Sequence, residues 1–209
     1  MQGIDDFGCK GKLFVISGPS GVGKGTICKR LLEDMDIDIS ISATTRKPRA
    51  GEIDKLSYFF VSHDEFRKMV RDDEFLEHAE VFGNFYGTPK QAVIDKLCSG
   101  KDIILEIDVQ GAMSVKSNYP ECVTIFICPP SMATLKRRLA GRGSETEESL
   151  NLRVTKALAE IKILREYDYY VINDELDDAV KQVKSIIYAE RHKIDGIEDA
   201  IISKFMEEE

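Results

Sequence analysis

The chain has 209 residues, 43% of them apolar, and carries 29 Lys and Arg against 37 Asp and Glu, a net charge of −8. That length and apolar content support one sizeable domain with a buried core, and the acidic balance excludes a general nucleic-acid binder, which needs a basic footprint. No apolar stretch reaches the roughly 18 residues that span a bilayer, and Met1 to Asp6 lacks the basic flank and apolar region of a secretory signal. Five cysteines (Cys9, Cys28, Cys98, Cys122, Cys128) contain no C-x-x-C pair, so reduced thiols and a cytoplasmic location are expected, with no nucleic-acid or membrane partner.

In chain order, the apolar run Leu13–Ser17 predicts a buried strand, and the helix expected over 24–34 starts soon after it. Between them lies Gly18-Pro19-Ser20-Gly21-Val22-Gly23-Lys24-Gly25-Thr26. A glycine-rich turn between strand and helix lets successive backbone N–H groups converge on one anion, and the helix N-terminus adds partial positive charge. Lys24 supplies a full charge for the outer phosphates, and the Thr26 hydroxyl can ligate Mg²⁺. The commonest form of this loop places Ser or Thr directly after the lysine. Here Gly25 intervenes, a form that resembles the nucleoside monophosphate kinases, such as adenylate kinases.

Residues 40–90 break the alternation of strands and helices. Ser40–Ser42, Tyr58–Val61 and Phe75–Phe82 read as strands, with a Gly83-Asn84 turn, which predicts a small antiparallel insert. Ser62 and Glu65 have capping-box spacing for a helix within it. Arg46, Lys47 and Arg49 fall within four residues, stiffened by Pro48. Two guanidinium forks at that separation suit one phosphate, whereas a charge run read alone suits a solvated loop equally well.

Alternation then resumes. Helices are expected over 89–98, 131–140, 145–166 and 176–192, and strands over Asp102–Ile107, Val123–Cys128 and Tyr169–Ile172. This pattern predicts an α/β fold with a parallel sheet covered on both faces and ligands beyond the strands' carboxyl ends. Gly141-Arg142-Gly143, followed by a capping box over 144–147, reads as a hinge between two lid helices. Asp108 lies just past a strand end, where a carboxylate can hold Mg²⁺ or contact an acceptor nucleotide. Both roles stay open.

Eight blocks stand in the order found in guanylate kinases: GPSGVGKGT, TTRKPRAGE, Tyr58-Phe59-Phe60, Phe75-Leu76-Glu77, Gly83 to Thr88, Ile107 to Gly111, Gly141 to Gly143, and Val171 to Asp174. From about residue 12 to 190 the chain resembles a bacterial guanylate kinase. The resemblance implies a P-loop kinase core over 11–43, 89–136 and 156–193, an antiparallel-β GMP-binding insert over 44–88, a lid over 137–155 and a C-terminal helix over 194–209. It implies that Arg46, Arg49, Tyr58 and Tyr86 hold the GMP phosphate, and that Ser42, Glu77 and Thr88 meet the guanine. It places ATP on Gly18 to Thr26, with Arg138, Arg142 and Arg153 closing over the phosphates and Asn173 near the adenine. Lys24, Arg46, Arg142, Arg153 and Asp108 would serve catalysis, with Mg²⁺ at Thr26. The implied reaction is ATP + GMP ⇌ ADP + GDP, by a monomer or homodimer.

The chemistry is coherent by itself. Guanine presents N1–H and an exocyclic NH₂, two donors that a single carboxylate accepts together, whereas adenine presents an acceptor at N1. Two departures from the family stand out: Glu106 where relatives usually have Asp, and Lys55 where they often have Gly. A module that has lost catalysis would carry a degraded P-loop, and a GTPase switch would carry separate guanine-reading motifs. Neither feature is found here.

Overall fold

The computed structural model describes residues 11–49, 51–81, 83–140 and 147–194, together with 202 and 206. Strand β1 (Leu13–Ser17) is buried at all five positions. It sits at the centre of a five-stranded parallel sheet in the order β2 (Asp38–Ile39), β7 (Ile103–Glu106), β1, β8 (Val123–Cys128), β9 (Tyr169–Ile172). Such a strand shows no polar face because helices cover both sides of the sheet. The period of two still sorts its side chains. Phe14 and Ile16 enter one layer with Ile104, Ile125 and Ile127, while Leu13 and Val15 enter the other with Ile103 and Leu105.

The first layer is closed by α1 (Lys24–Asp34), α5 (Met132–Ala140), α6 (Glu147–Ile161) and α7 (Leu176–Arg191). The second is closed by α3 (Lys90–Cys98) and α4 (Val109–Asn118). Helix α4 has no counterpart among the sequence expectations. Only two residues separate it from the end of β7, so its Val109 reads as a continuation of the strand. Its marker is Asp108, the N-cap, whose Oδ1 accepts from the Gly111 N–H at 2.9 Å. The helix expected over 145–166 divides into α6 and a 3₁₀ segment over Lys162–Glu166.

The insert is a four-stranded sheet in the order β4 (Phe59–Phe60), β3 (Ala43–Thr44), β6 (Asn84–Pro89), β5 (Phe75–Val81). Its β5–β6 and β3–β6 pairings are antiparallel, but β3–β4 is parallel, because the long connection over 45–58 carries the chain back before it re-enters the sheet. The strand expected at Ser40–Ser42 is instead a crossing between sheets. Ser40 N–H donates to Ile104 of the core, and the Ser42 carbonyl accepts from Phe59 of the insert. Helix α2 (His63–Arg71) carries both arms of the expected capping box, Ser62 and Glu65. It seats Phe66 against Phe75 and Phe85, at ring separations of 4.6 and 5.5 Å, as the insert's own core.

Two sequence signals meet a structural cause here. Lys55 has φ +65°, the left-handed conformation that glycine adopts freely. Its N–H donates to the Tyr58 carbonyl, closing the turn that presents Tyr58. Relief of about 1–2 kcal/mol of backbone strain outweighs the roughly 0.5–1 kcal/mol of extra chain entropy a glycine loses. Lys55→Gly is therefore expected to raise stability by about 0.5 kcal/mol, read by chemical denaturation, and a loss of stability would contradict the strain. Among the cysteines, Cys28, Cys122 and Cys128 are free thiols as expected, whereas Cys98 is disulfide-bonded.

Candidate functional site

The loop after β1 turns at the carboxyl edge of the sheet and feeds α1. That helix has no side-chain cap and no acidic residue in its first turn, in contrast to α2. Its first N–H groups are thus left for an anion. Gly23, the N-cap, has φ +96°, and a Cβ there would stand 2.4 Å from Asn173 Nδ2. Asn173 is buried at the end of β9 and donates this amide to the Val22 carbonyl at 2.7 Å, so it braces the loop from beneath. Arg138 of α5 donates to the Asn173 carbonyl at 3.0 Å and so lies at the same sheet edge.

Lys24 Nζ folds back on the loop, donating to the carbonyls of Gly18 at 2.5 Å and Pro19 at 3.2 Å. Burial lowers its pKa, and Glu106, Glu160 and Asp108 counteract that shift. Glu106, at the end of β7, also lies over the helix start: a Cβ on Gly25 would come within 3.4 Å of its Oε1. Desolvation of the carboxyl raises its pKa, and Lys24 opposes the rise. Thr26 is exposed on the first turn of α1.

The insert faces this loop. Alternation along β5 points Glu77, Ala79 and Val81 into the space between the two sheets. Opposite Glu77 in the β5–β6 register stands Thr88, whose hydroxyl donates to Glu77 Oε1 at 2.7 Å. Glu77 is 6% exposed. Burial pushes its pKa up to about 7, the Thr88 bond opposes this, and Asp108 adds to it. Asp108 uses Oδ1 as the α4 cap, while its Oδ2 is buried with no hydrogen-bond partner.

The basic loop lies at the other end of the same face. Glu52 organises it: one oxygen accepts from Arg46 Nη2 at 2.8 Å and the other from the Arg49 N–H at 2.7 Å. The ion pair with Glu52 raises the Arg46 pKa. The Arg46 guanidinium also lies 5.4 Å from the centre of the Tyr58 ring, and that ring meets Tyr86 edge-on at 6.2 Å. These groups form a held cluster of donors.

One cavity of about 240 Å³ joins the two halves. Gly18, Ser20 and Lys24 line it from the loop, Ser42 from the crossing between the sheets, Arg49, Tyr58, Glu77 and Tyr86 from the insert, and Asp108 from the core. Thr88 supports the wall from behind Glu77, and Arg46 from behind Tyr58. On α6, Arg153 lines the cavity with Lys156 and Glu160. Arg142 lies outside the described residues.

A sequence model of the guanylate kinase family matches residues 10–190. The guanylate kinase of Clostridium acetobutylicum is 54% identical over 193 residues, covering 92% of each chain. That of Clostridioides difficile is 49% identical over 200 residues, covering 95% of this chain and 98% of the relative. The chain belongs to the guanylate kinase family. A crystal structure of guanylate kinase from Anaplasma phagocytophilum has the same fold, with a TM-score of 0.79 at 35% identity, covering 94% of this chain and 96% of that one.

Two lining residues of this cavity, Lys156 and Glu160, lie outside the motifs. Lys156 and Glu160 follow Arg153 at helical spacing, so the periodicity of α6 was the available signal. Glu52 closes the basic loop on itself through Arg46 and the Arg49 N–H, an arrangement that spacing in the sequence does not specify. No helix among the described residues is long and apolar enough to cross a membrane.

Proposed function

We propose that the chain transfers the γ-phosphoryl group of ATP to GMP, giving ADP and GDP. The observation that carries this reading is a buried carboxylate, Glu77, facing the phosphate-binding loop across one cavity. A carboxylate at this depth is costly unless donors meet it. Thr88 supplies one donor, and the N1–H and NH₂ of guanine supply the rest. Adenine would set a lone pair against it. Ser42 and the unpartnered oxygen of Asp108 add acceptors on the same wall, so we assign Asp108 to the acceptor nucleotide. Arg46, Arg49, Tyr58 and Tyr86 would hold the GMP phosphate, the arginines by charge and the tyrosines by directional O–H donors.

The triphosphate of ATP fits Gly18 to Thr26, where uncapped N–H groups and Lys24 converge. Phosphate oxygens would replace the carbonyls that Lys24 Nζ now contacts. Arg153, Arg138 and Arg142 are assigned to the ATP side, and Asn173 to the floor near the adenine. No group of three or more His, Cys, Asp or Glu among the described residues forms a metal site by itself. Mg²⁺ needs none, since it keeps waters and shares nucleotide oxygens. The hard oxygens of Thr26 and Glu106 fit an ion carried in with ATP, which would neutralise phosphate charge there.

GMP is already an anionic nucleophile at neutral pH, so no strong general base is required. Catalysis then rests on aligning two polyanions and neutralising the moving phosphoryl group. A coupled assay of ADP release with Mg·ATP across GMP, AMP and pyrimidine monophosphates tests this. GMP is expected to exceed AMP in kcat/KM by as much as ~10⁴-fold. Preference for AMP would overturn the assignment of Glu77.

A further inference from the structure

We propose that Gly111 is a positioning residue for guanine recognition, acting through the side chain it lacks. The inference rests on the reading of Glu77 given above. Glu77 reaches from the insert to the first turn of α4, and a Cβ built on Gly111 would stand 2.7 Å from its Oε2 and 3.2 Å from its Cδ. The first separation is closer than real Cβ atoms come to any neighbour. Backbone conformation does not account for the glycine, because Gly111 is absent from the residues with positive φ. Space does.

The backbone at Gly111 has no freedom to retreat. It is buried inside α4, and its N–H is bonded to the capping Asp108 Oδ1. The Glu77 carboxylate is therefore bounded on one side by the Thr88 hydroxyl at Oε1 and on the other by bare helix backbone at Oε2. A methyl group at 111 leaves the end of the Glu77 side chain as the part that must yield. The fold tolerates this, since alanine suits a helix better than glycine. What is lost is the orientation of the carboxylate, and with it the paired acceptance from N1–H and NH₂.

The test compares Gly111→Ala with Glu77→Gln in steady-state kinetics on GMP and IMP, which lacks the 2-amino group. Gly111→Ala is expected to raise KM for GMP about tenfold and to lower the GMP-to-IMP ratio of kcat/KM about fivefold or more, with KM for ATP within about twofold. Its thermal midpoint should be unchanged or higher. Parent-like KM for GMP and parent-like discrimination in Gly111→Ala, alongside lost discrimination in Glu77→Gln, would overturn the role of Gly111. An equal rise in KM for ATP would overturn it too. Parent-like discrimination in Glu77→Gln would instead overturn the reading of Glu77. Should Gly111→Ala not fold, the double variant Gly111→Ala/Glu77→Ala decides. Recovery of a parent-like thermal midpoint supports the steric conflict, and failure to recover overturns it.

Discussion

Lys24→Met is expected to lower kcat by about 10³-fold, some 4 kcal/mol of transition-state stabilisation, while the protein stays folded. The lysine sits where uncapped N–H groups of α1 converge, and its ammonium is the mobile full charge in that cradle. Methionine keeps the length of the stem and removes the ammonium, both its charge and its N–H donors to the Gly18 and Pro19 carbonyls. Stability should change little. Burial already disfavours the charged form of Lys24, so removing the charge relieves that cost as it deletes the attraction to Glu106, Glu160 and Asp108. KM for GMP should move far less than kcat, since Lys24 lies on the donor side of the cavity. A variant turning over within tenfold of the parent would defeat the role assigned to the loop.

Glu77→Gln is expected to cut kcat/KM for GMP by about 10³-fold, mostly through KM. The amide turns an NH₂ toward guanine donors and so replaces two acceptors with one acceptor and a repulsive contact. A pH dependence accompanies it. Burial raises the Glu77 pKa from 4.5 to about 7. The acid form is the one the empty fold favours: its contribution is fully present below about pH 4.5 and is lost as pH rises through about 7. Guanine binding requires the opposite form. The ionisation of Glu77 should therefore lower KM for GMP about fivefold between pH 6 and 7 in the parent, and about twofold more above pH 7. The GMP phosphate titrates near pH 6 in both proteins, so the difference between parent and Glu77→Gln isolates the carboxyl. Over the same interval the thermal midpoint of Glu77→Gln should gain on that of the parent. Identical pH profiles would remove Glu77 from the guanine site.

Local signals were legible wherever chemistry and periodicity coincide. Leu13–Ser17, Val123–Cys128 and Tyr169–Ile172 are strands at the predicted residues. The capping box at Ser62 and Glu65 follows residue types whose local bonds do not depend on distant partners, and α1 starts at the predicted Lys24, directly after Gly23 in the left-handed conformation. Helix α4 was not legible, because it leaves β7 without a turn. The parallel β3–β4 pair and the crossing at Ser40–Ser42 were not legible either, because their partners are chosen across the two sheets.

The sequence by itself determined which groups this protein owns: a glycine loop ending in a lysine, an arginine pair, tyrosines and a carboxylate suited to guanine. These are covalent facts, readable from order and spacing. Only the tertiary structure decided what state those groups are in. The Glu77 carboxyl is pushed toward its acid form because β5 and α4 bury it, against the opposing Thr88 hydrogen bond. Arg46 is pre-set because Glu52 closes back on it, and the Glu77 carboxylate has its place because Gly111 is bare. Burial, dielectric and close approach are set by residues far apart in the chain, and no local reading of spacing contains them.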